Sequence, residues 1–338
     1  MHQNLKMLRL LCLSVLLLST CSREPLLTFN GQTMGTWYTV KICAKTTEQD
    51  QKYIYHNIDM ALQQVNRSLN HFDPESEISR FNAYRGTDPY PVSSMFMEVA
   101  GVAEQIYHAS EGAFDPTVGE LVRLWGFGKS DSIRVPLRAD IEQALKHVGM
   151  HKVRIFENMI VKEDPDVQFD FSAIAKGYGV DVLAQTLYGL GYENLLVEIG
   201  GEVRTYGSRN GKPWRIGIAA PDEISHAGQQ NVSVINVTNM ACATSGDYRQ
   251  YYEMNGKRYS HLIDPGTGYS IDHELTSVTV TAESCMLADA LATAVIVMGK
   301  KKGMELIESM ENVEALFIYR DKDGNLRSHV SSKWENKL

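Results

Sequence analysis

Cysteine is scarce in this chain, and the few present are badly placed for cross-linking. Of 5 in 338 residues, Cys12 and Cys21 fall near the amino terminus, which leaves Cys43, Cys242 and Cys285. Three cysteines without metal-ligand spacing exclude a disulfide framework and a thiolate zinc centre, and leave room for one bridge at most. Cys285, four residues before Asp289, reads as a small buried apolar residue on the same helix face. Long apolar runs are missing too: Leu10 to Leu18 is too short to span a bilayer as a mature helix. Excess positive charge is absent. The net charge is −8, and because the first 20 residues hold Lys6 and Arg9 but no acid, the remainder carries −10. Bulk binding of nucleic acid is therefore excluded. Low-complexity tracts, clear repeats and long linkers are also lacking. At 43% hydrophobic and 22% charged, the chain has the balance of an enzyme-sized globular body.

Residues 1–20, with two basic residues and then an apolar run, read as a secretory signal. The run ends in Leu18-Ser-Thr-Cys21, which resembles the lipobox of bacterial lipoproteins, with Thr20 in place of the usual Gly, Ala or Ser. That resemblance implies acylation of Cys21 and a membrane tether through buried methylenes. Residues 21–29 then form a short linker, and 30–338 the functional body.

The body reads as α+β. Thr36 to Cys43 alternates as a strand, and Thr47 to Leu69 carries Ile54, Ile58, Leu62, Val65 and Leu69 at helical spacing. Ser93 or Ser94 caps a second helix through Ile106, and Arg138 to Val148 is a third, stopped by Gly149. Strands near Val153 to Val161 precede a helix opened by Ser172 and running to about Tyr188. Leu195 to Ile199 and Glu202 to Tyr206 flank Gly200-Gly201 as a hairpin. Further strands fall at 214–219, 232–237, 258–262 and 277–282, before a helix through Asp289 and a last strand around 315–319. Without strict alternation of strand and helix, a simple Rossmann chain is disfavoured.

Asp289 and Thr293 stand one turn apart on that helix, so their oxygens share a face. One carboxylate and one hydroxyl make a sparse site suited to magnesium, which keeps several waters and takes its other ligands from neutral oxygens and phosphates. Glu111-Gly-Ala-Phe-Asp-Pro-Thr-Val-Gly119 is a turn whose backbone can lie against a flat ligand. Ser260-His-Leu-Ile-Asp-Pro-Gly-Thr-Gly268 holds His261 at a strand edge, where it can move a proton near neutral pH. Taken singly, each string has a bland alternative: polar helix residues with local hydrogen bonds, a plain turn, a structural histidine.

Their order is more specific. Met34-Gly-Thr, Ser79-Arg-Phe-Asn82, Gly112-Ala-Phe-Asp-Pro116, Leu124-Trp-Gly-Phe127, Asp170-Phe-Ser-Ala-Ile-Ala-Lys-Gly177, Gly200-Gly-Glu202, Thr244-Ser-Gly246, His261-Leu-Ile-Asp-Pro-Gly-Thr-Gly268 and Ala288-Asp-Ala290 follow one another along the chain. In this the sequence resembles the ApbE family of flavin transferases, from about Thr33 to Gly299. The resemblance implies mixed sheets flanked by helices in two packed lobes, with an FAD and metal site in the cleft between them. It further implies a magnesium-dependent transfer of FMN from FAD to a Thr or Ser hydroxyl of an acceptor protein, with release of AMP. The implied acceptor is a periplasm-facing subunit of a membrane redox complex, and the implied location is the periplasmic side of a bacterial membrane.

By the same resemblance, Asp289, Thr293 and the backbone carbonyl of Ala173 hold the metal. Met34, Phe72, Ala113, Phe114, Asp115, Asp170, Lys176 and Ile263 line the FAD site, and His261 activates the acceptor hydroxyl. Phe72 stands where some relatives place tyrosine, and Ala292 where many have a carboxylate that joins or braces the metal, so a lower metal affinity is expected. Two alternatives share these residues: an FAD pyrophosphatase yielding FMN and AMP, and a non-catalytic FAD-binding lipoprotein.

Overall fold

The structure is a computed structural model that describes residues 23–127, 135–219, 231–248 and 250–334. The leader and Cys21 lie outside the described residues. Alternation builds the main sheet, because successive strand residues point to opposite faces. Tyr38, Val40 and Ile42, then Leu195, Val197 and Ile199, are buried on one face, while Cys43 and Leu196 are buried on the other. Ala315 and Phe317 continue the first face, Leu316 and Ile318 the second.

The result is an eight-stranded sheet whose spatial order is also its chain order: Leu26–Thr33, Thr36–Cys43, Leu195–Ile199, Glu202–Tyr206, Ala241–Gly246, Leu275–Ala282, Glu314–Arg320 and Leu326–Val330. Every neighbouring pair is antiparallel. The helices Glu48–Leu69, Ser94–Ala109, Ala175–Gly189 and Cys285–Met298 cover one face. The hairpin Trp214–Ala219/Asn231–Val237 packs on the other through Trp214, Ile218, Ile235 and Val237. A three-stranded sheet of Tyr90–Pro91, Met159–Lys162 and Val153–Phe156 forms a smaller unit with the helix Glu77–Ala83, around Phe81, Phe96, Phe169 and Phe171. The α+β reading holds. Among the described residues, no helix is long and apolar enough to cross a membrane.

Local signals account for the well-read elements. Thr47 caps Glu48–Leu69 in a capping box with Asp50, and Ser93 accepts from Phe96 N–H at the start of Ser94–Ala109. Four readings need correction. The linker does not reach residue 29: Leu26–Thr33 is already a strand, paired along its length with Thr36–Cys43. Ser172 opens no helix, since its N–H is turned back onto Asp170 Oδ1 at 2.7 Å and the helix begins at Ala175. The third helix stops at Leu145, short of Gly149. The strand Glu314–Arg320 is not the last, because the edge strand Leu326–Val330 follows it. That strand has no buried alternation to betray it. The helix Lys300–Ser309 also went unread, because it starts with three lysines against its own dipole and has no side-chain cap.

Lys162 is fully buried in the small sheet, its Nζ 2.9 Å from the Tyr84 carbonyl and 4.6 Å from the centre of the Phe81 ring. Burial lowers its pKa from the ordinary 10.5 to about 8. Between these values the unfolded chain binds a proton that the folded chain does not, so this group's contribution to stability rises with pH across that window. Stability measured by urea unfolding between pH 7 and 10.5 should therefore shift in favour of the wild type over Lys162→Met as pH rises. A difference that stays flat with pH would contradict this.

Candidate active site

Two segments far apart in sequence are tied together beside the sheet. Asp170 N–H donates to the Pro116 carbonyl at 2.7 Å, joining the Gly112–Pro116 turn to the run leading into the Ala175 helix. The Ala175–Gly189 helix has no side-chain cap of its own. Its Gly177 N–H donates instead to Asp289 Oδ2 at 2.9 Å, from the helix Cys285–Met298. A side chain at residue 177 would prevent this, since a Cβ there would lie 2.3 Å from the Cys285 carbonyl oxygen. Asp289 is 2% exposed, and an acceptor removed from such a buried donor costs about 1–3 kcal/mol.

The cleft beside these helix ends has a volume of about 420 Å³, within the range of small-molecule sites. All twelve residues singled out in the sequence for the cavity line it: Met34, Phe72, Ala113, Phe114, Asp115, Asp170, Ala173, Lys176, His261, Ile263, Asp289 and Thr293. Thr293 lies one turn after Asp289, and its Oγ1 shares a 3.0 Å hydrogen bond with Ser245 Oγ, in which either hydroxyl can donate. Ala292 belongs instead to the apolar core and does not line the cleft. A carboxylate at this position would have to be accommodated among those apolar neighbours.

The remaining wall is part apolar and part anchored polar. Met34 and Gly35 are the two central residues of the tight turn closed by the pair Thr33 and Thr36, with φ of 51° and 73°. A methionine held in the left-handed region costs roughly 1–2 kcal/mol relative to the right-handed one. Here it lies against Gly179 and forms cleft wall. Phe72 is 53% exposed and its ring centre lies 4.0 Å from that of His71, whereas Phe114 and Ile263 are buried. Asp115 Oδ1 accepts both the N–H and the hydroxyl of Thr117, at 2.8 and 2.6 Å, and Thr117 Oγ1 in turn accepts Gly149 N–H. Desolvation by burial raises the pKa of Asp115, opposed by these Thr117 bonds. Lys176 Nζ stands 2.8 Å from Oε1 of the fully buried Glu202, which holds its positive charge at the cleft wall.

His261 follows the strand Lys257–Ser260, which pairs with Tyr251–Met254 in a separate ribbon. Its backbone N–H and its Nδ1 both lie 3.0 Å from the Gln250 carbonyl, and its ring meets Phe127 edge-on. A carbonyl can only accept, so in the neutral ring Nδ1 carries the proton and Nε2 the lone pair. This is the tautomer of a proton acceptor.

The donors at Asp289, Thr293 and the Ala173 carbonyl are all oxygen, which fits a hard divalent cation with retained waters. Among the described residues, one group of three His, Asp or Glu side chains also has metal-binding spacing, at His147, Asp164 and Asp166. It does not line the cleft, and Arg85 already lies 3.2 Å from Asp166. Cys43, Cys242 and Cys285 are buried and no disulfide joins any two of them, so the single bridge allowed by their number does not form.

The ApbE family model matches residues 34–317. The chain belongs to the ApbE family. It is 40% identical to the FAD:protein FMN transferase of Vibrio cholerae, over 95% of this chain and 96% of that one. It is 39% identical to the enzyme of the same name from Haemophilus influenzae, over 91% and 90%. Among solved structures, the flavin transferase ApbE from Vibrio cholerae superposes with a TM-score of 0.85 at 39% identity, covering 93% of this chain and 99% of that one. The apo flavinyl transferase ApbE of Pseudomonas stutzeri gives 0.83 at 34% identity, covering 93% and 97%. The ApbE motifs in the sequence located the cleft but not the partners that hold it. Ser245, Glu202 and Phe127 lay inside those motifs and Gln250 outside them, with no local pattern to give each its role.

The glycines of the Ala175–Gly189 helix separate propensity from packing. Alanine is the better helix former by about 1 kcal/mol at either Gly177 or Gly189. Only at Gly177 does a Cβ meet backbone; at Gly189 nothing lies within 4 Å. Gly177→Ala should destabilise the protein by about 1–3 kcal/mol through overpacking, while Gly189→Ala leaves it equal or more stable. Unfolding midpoints of the two variants test this, and equal shifts would refute the contact.

Proposed function

We propose that this chain is a magnesium-dependent FAD:protein FMN transferase that esterifies FMN to a Thr or Ser hydroxyl of an acceptor protein and releases AMP. The observation that carries this reading is the meeting, in one cleft, of Asp289 and Thr293 with His261, whose Nδ1 is held by the Gln250 carbonyl. The names borne by the ApbE relatives support it. A hard cation at Asp289, Thr293 and Ala173 would supply charge neutralisation for a bound pyrophosphate. Met34 and Phe72 offer apolar surface to flat rings, and the carboxylates of Asp115 and Asp170 can accept from ribose or base donors. Lys176 offers a cation to ribose or phosphate oxygens.

The reaction is a substitution at the FMN phosphorus. The acceptor hydroxyl oxygen forms the new P–O bond, the bond to the AMP phosphate breaks, and AMP leaves with its electron pair. The hydroxyl proton passes to His261 Nε2, which the Gln250 carbonyl keeps correctly oriented. Part of the same proposal is the cellular setting: signal-directed export, a lipid tether at Cys21, and an acceptor on the periplasmic side of a bacterial membrane, in a redox complex.

The test is intact mass of a candidate acceptor domain after incubation with the protein, FAD and Mg²⁺, with nucleotides followed in the same tube. The expected outcome is a gain of one esterified FMN, release of AMP, and complete inhibition by chelator. Free FMN and AMP without acceptor labelling would replace this reading with an FAD pyrophosphatase. FAD bound and unchanged would replace it with a storage protein. In the same assay His261→Ala should slow transfer about 10²–10⁴-fold with FAD affinity little changed, and Asp289→Ala should abolish the magnesium-dependent reaction. Unaltered transfer by either variant would remove that residue from its role.

A further inference from the structure

Asp181 lies outside the cleft, yet it is buried and holds the other half of the contact that fixes Asp289. Its Oδ1 accepts Cys285 N–H at 3.0 Å and its Oδ2 accepts Met286 N–H at 2.9 Å, the first two donors of the Cys285–Met298 helix. Ser284 Oγ takes the third, from Leu287, at 3.1 Å. The arrangement is reciprocal. Gly177 and Asp181 share one face of their helix, Cys285 and Asp289 one face of theirs, and each helix supplies a carboxylate to the other's first turn. Arg204 completes it, with Nη1 3.2 Å from Asp181 Oδ1 and also donating to the Glu283 carbonyl.

We infer that Asp181 is a positioning residue for Asp289, setting the axial position and rotation of the Cys285–Met298 helix so that the Asp289 oxygen not used by Gly177 faces the cation. The inference rests on the metal reading above and extends it to a residue that touches neither cation nor substrate. Both oxygens of Asp181 are needed. An asparagine can accept one N–H, but its amide nitrogen then confronts the other. Outer partners of metal ligands typically change metal affinity 10–100-fold when altered, and that range is expected for Asp181→Asn.

The experiment is calorimetric titration of Mg²⁺ into chelator-stripped protein saturated with FAD, for the wild type, Asp181→Asn and Asp289→Asn, with melting temperature and metal-free FAD affinity measured alongside. The expected result for Asp181→Asn is a Mg²⁺ dissociation constant raised at least 10-fold with metal-free FAD affinity unchanged. A lower melting temperature with unchanged Mg²⁺ affinity would reduce Asp181 to a structural cap and overturn the inference. Undiminished Mg²⁺ binding by Asp289→Asn would instead overturn the metal reading, and the inference with it. A second measurement needs no variant. Coupling between sites is reciprocal, so Mg²⁺ should slow hydrogen exchange at the Cys285 and Met286 amides of the FAD-bound wild type as well as at Gly177. Slowing confined to Gly177 would overturn the inference.

Discussion

Two helices begin in the interior of this protein, and a helix cannot satisfy the N–H groups of its own first turn. The sequence answers with one carboxylate from each helix for the other: Asp181 for Cys285 and Met286, Asp289 for Gly177. Much else follows from that exchange. The helices must touch, so residue 177 must be glycine. Asp181 needs a compensating charge in its buried setting, which Arg204 supplies from the strand Glu202–Tyr206. Asp289, held at one oxygen, keeps the other for the cleft. Each carboxylate sits at the positive end of the partner helix, where negative charge is favoured.

The sequence disclosed those residues whose meaning is local. Asp289 and Thr293 are one helical turn apart, and His261 stands between a strand and an Asp-Pro-Gly-Thr-Gly turn, so both could be read from short strings. The apolar spacing from Ile54 to Leu69 gave the first helix nearly to its ends. What stayed hidden depends on partners distant in sequence. Asp181 reaches Met286 across 105 residues and Ser245 reaches Thr293 across 48, and no periodicity encodes either pairing. Gly177 looked like a motif terminus, whereas its role is to leave room for the Cys285 carbonyl. The helix Lys300–Ser309 and the strand Leu326–Val330 escaped for another reason: one opposes its dipole, the other is mostly exposed.

The chemistry of the cleft is economical in its groups but not in their supports. Asp289, Thr293, His261 and Lys176 line the cavity, and each has a named hydrogen-bond or charge partner behind it. Such bracing is what allows few groups to act with defined direction, because a loosely held donor loses most of its value when it must reorganise during reaction. Met34 shows that the backbone takes part as well, in a left-handed turn position that methionine does not favour.

The chain-ordered sheet has one long interruption: the strands Thr36–Cys43 and Leu195–Ile199 are neighbours, and all of residues 44–194 lie between them. Closing so large a loop costs chain entropy that only the contacts made afterwards can repay. Met34 at the turn before the second strand, Phe72 and Asp170 within the excursion, and Asp289 near the far end of the chain meet only after it has closed. The cleft therefore needs that long-range pairing in place, and its occupancy by a ligand would report that the excursion has closed.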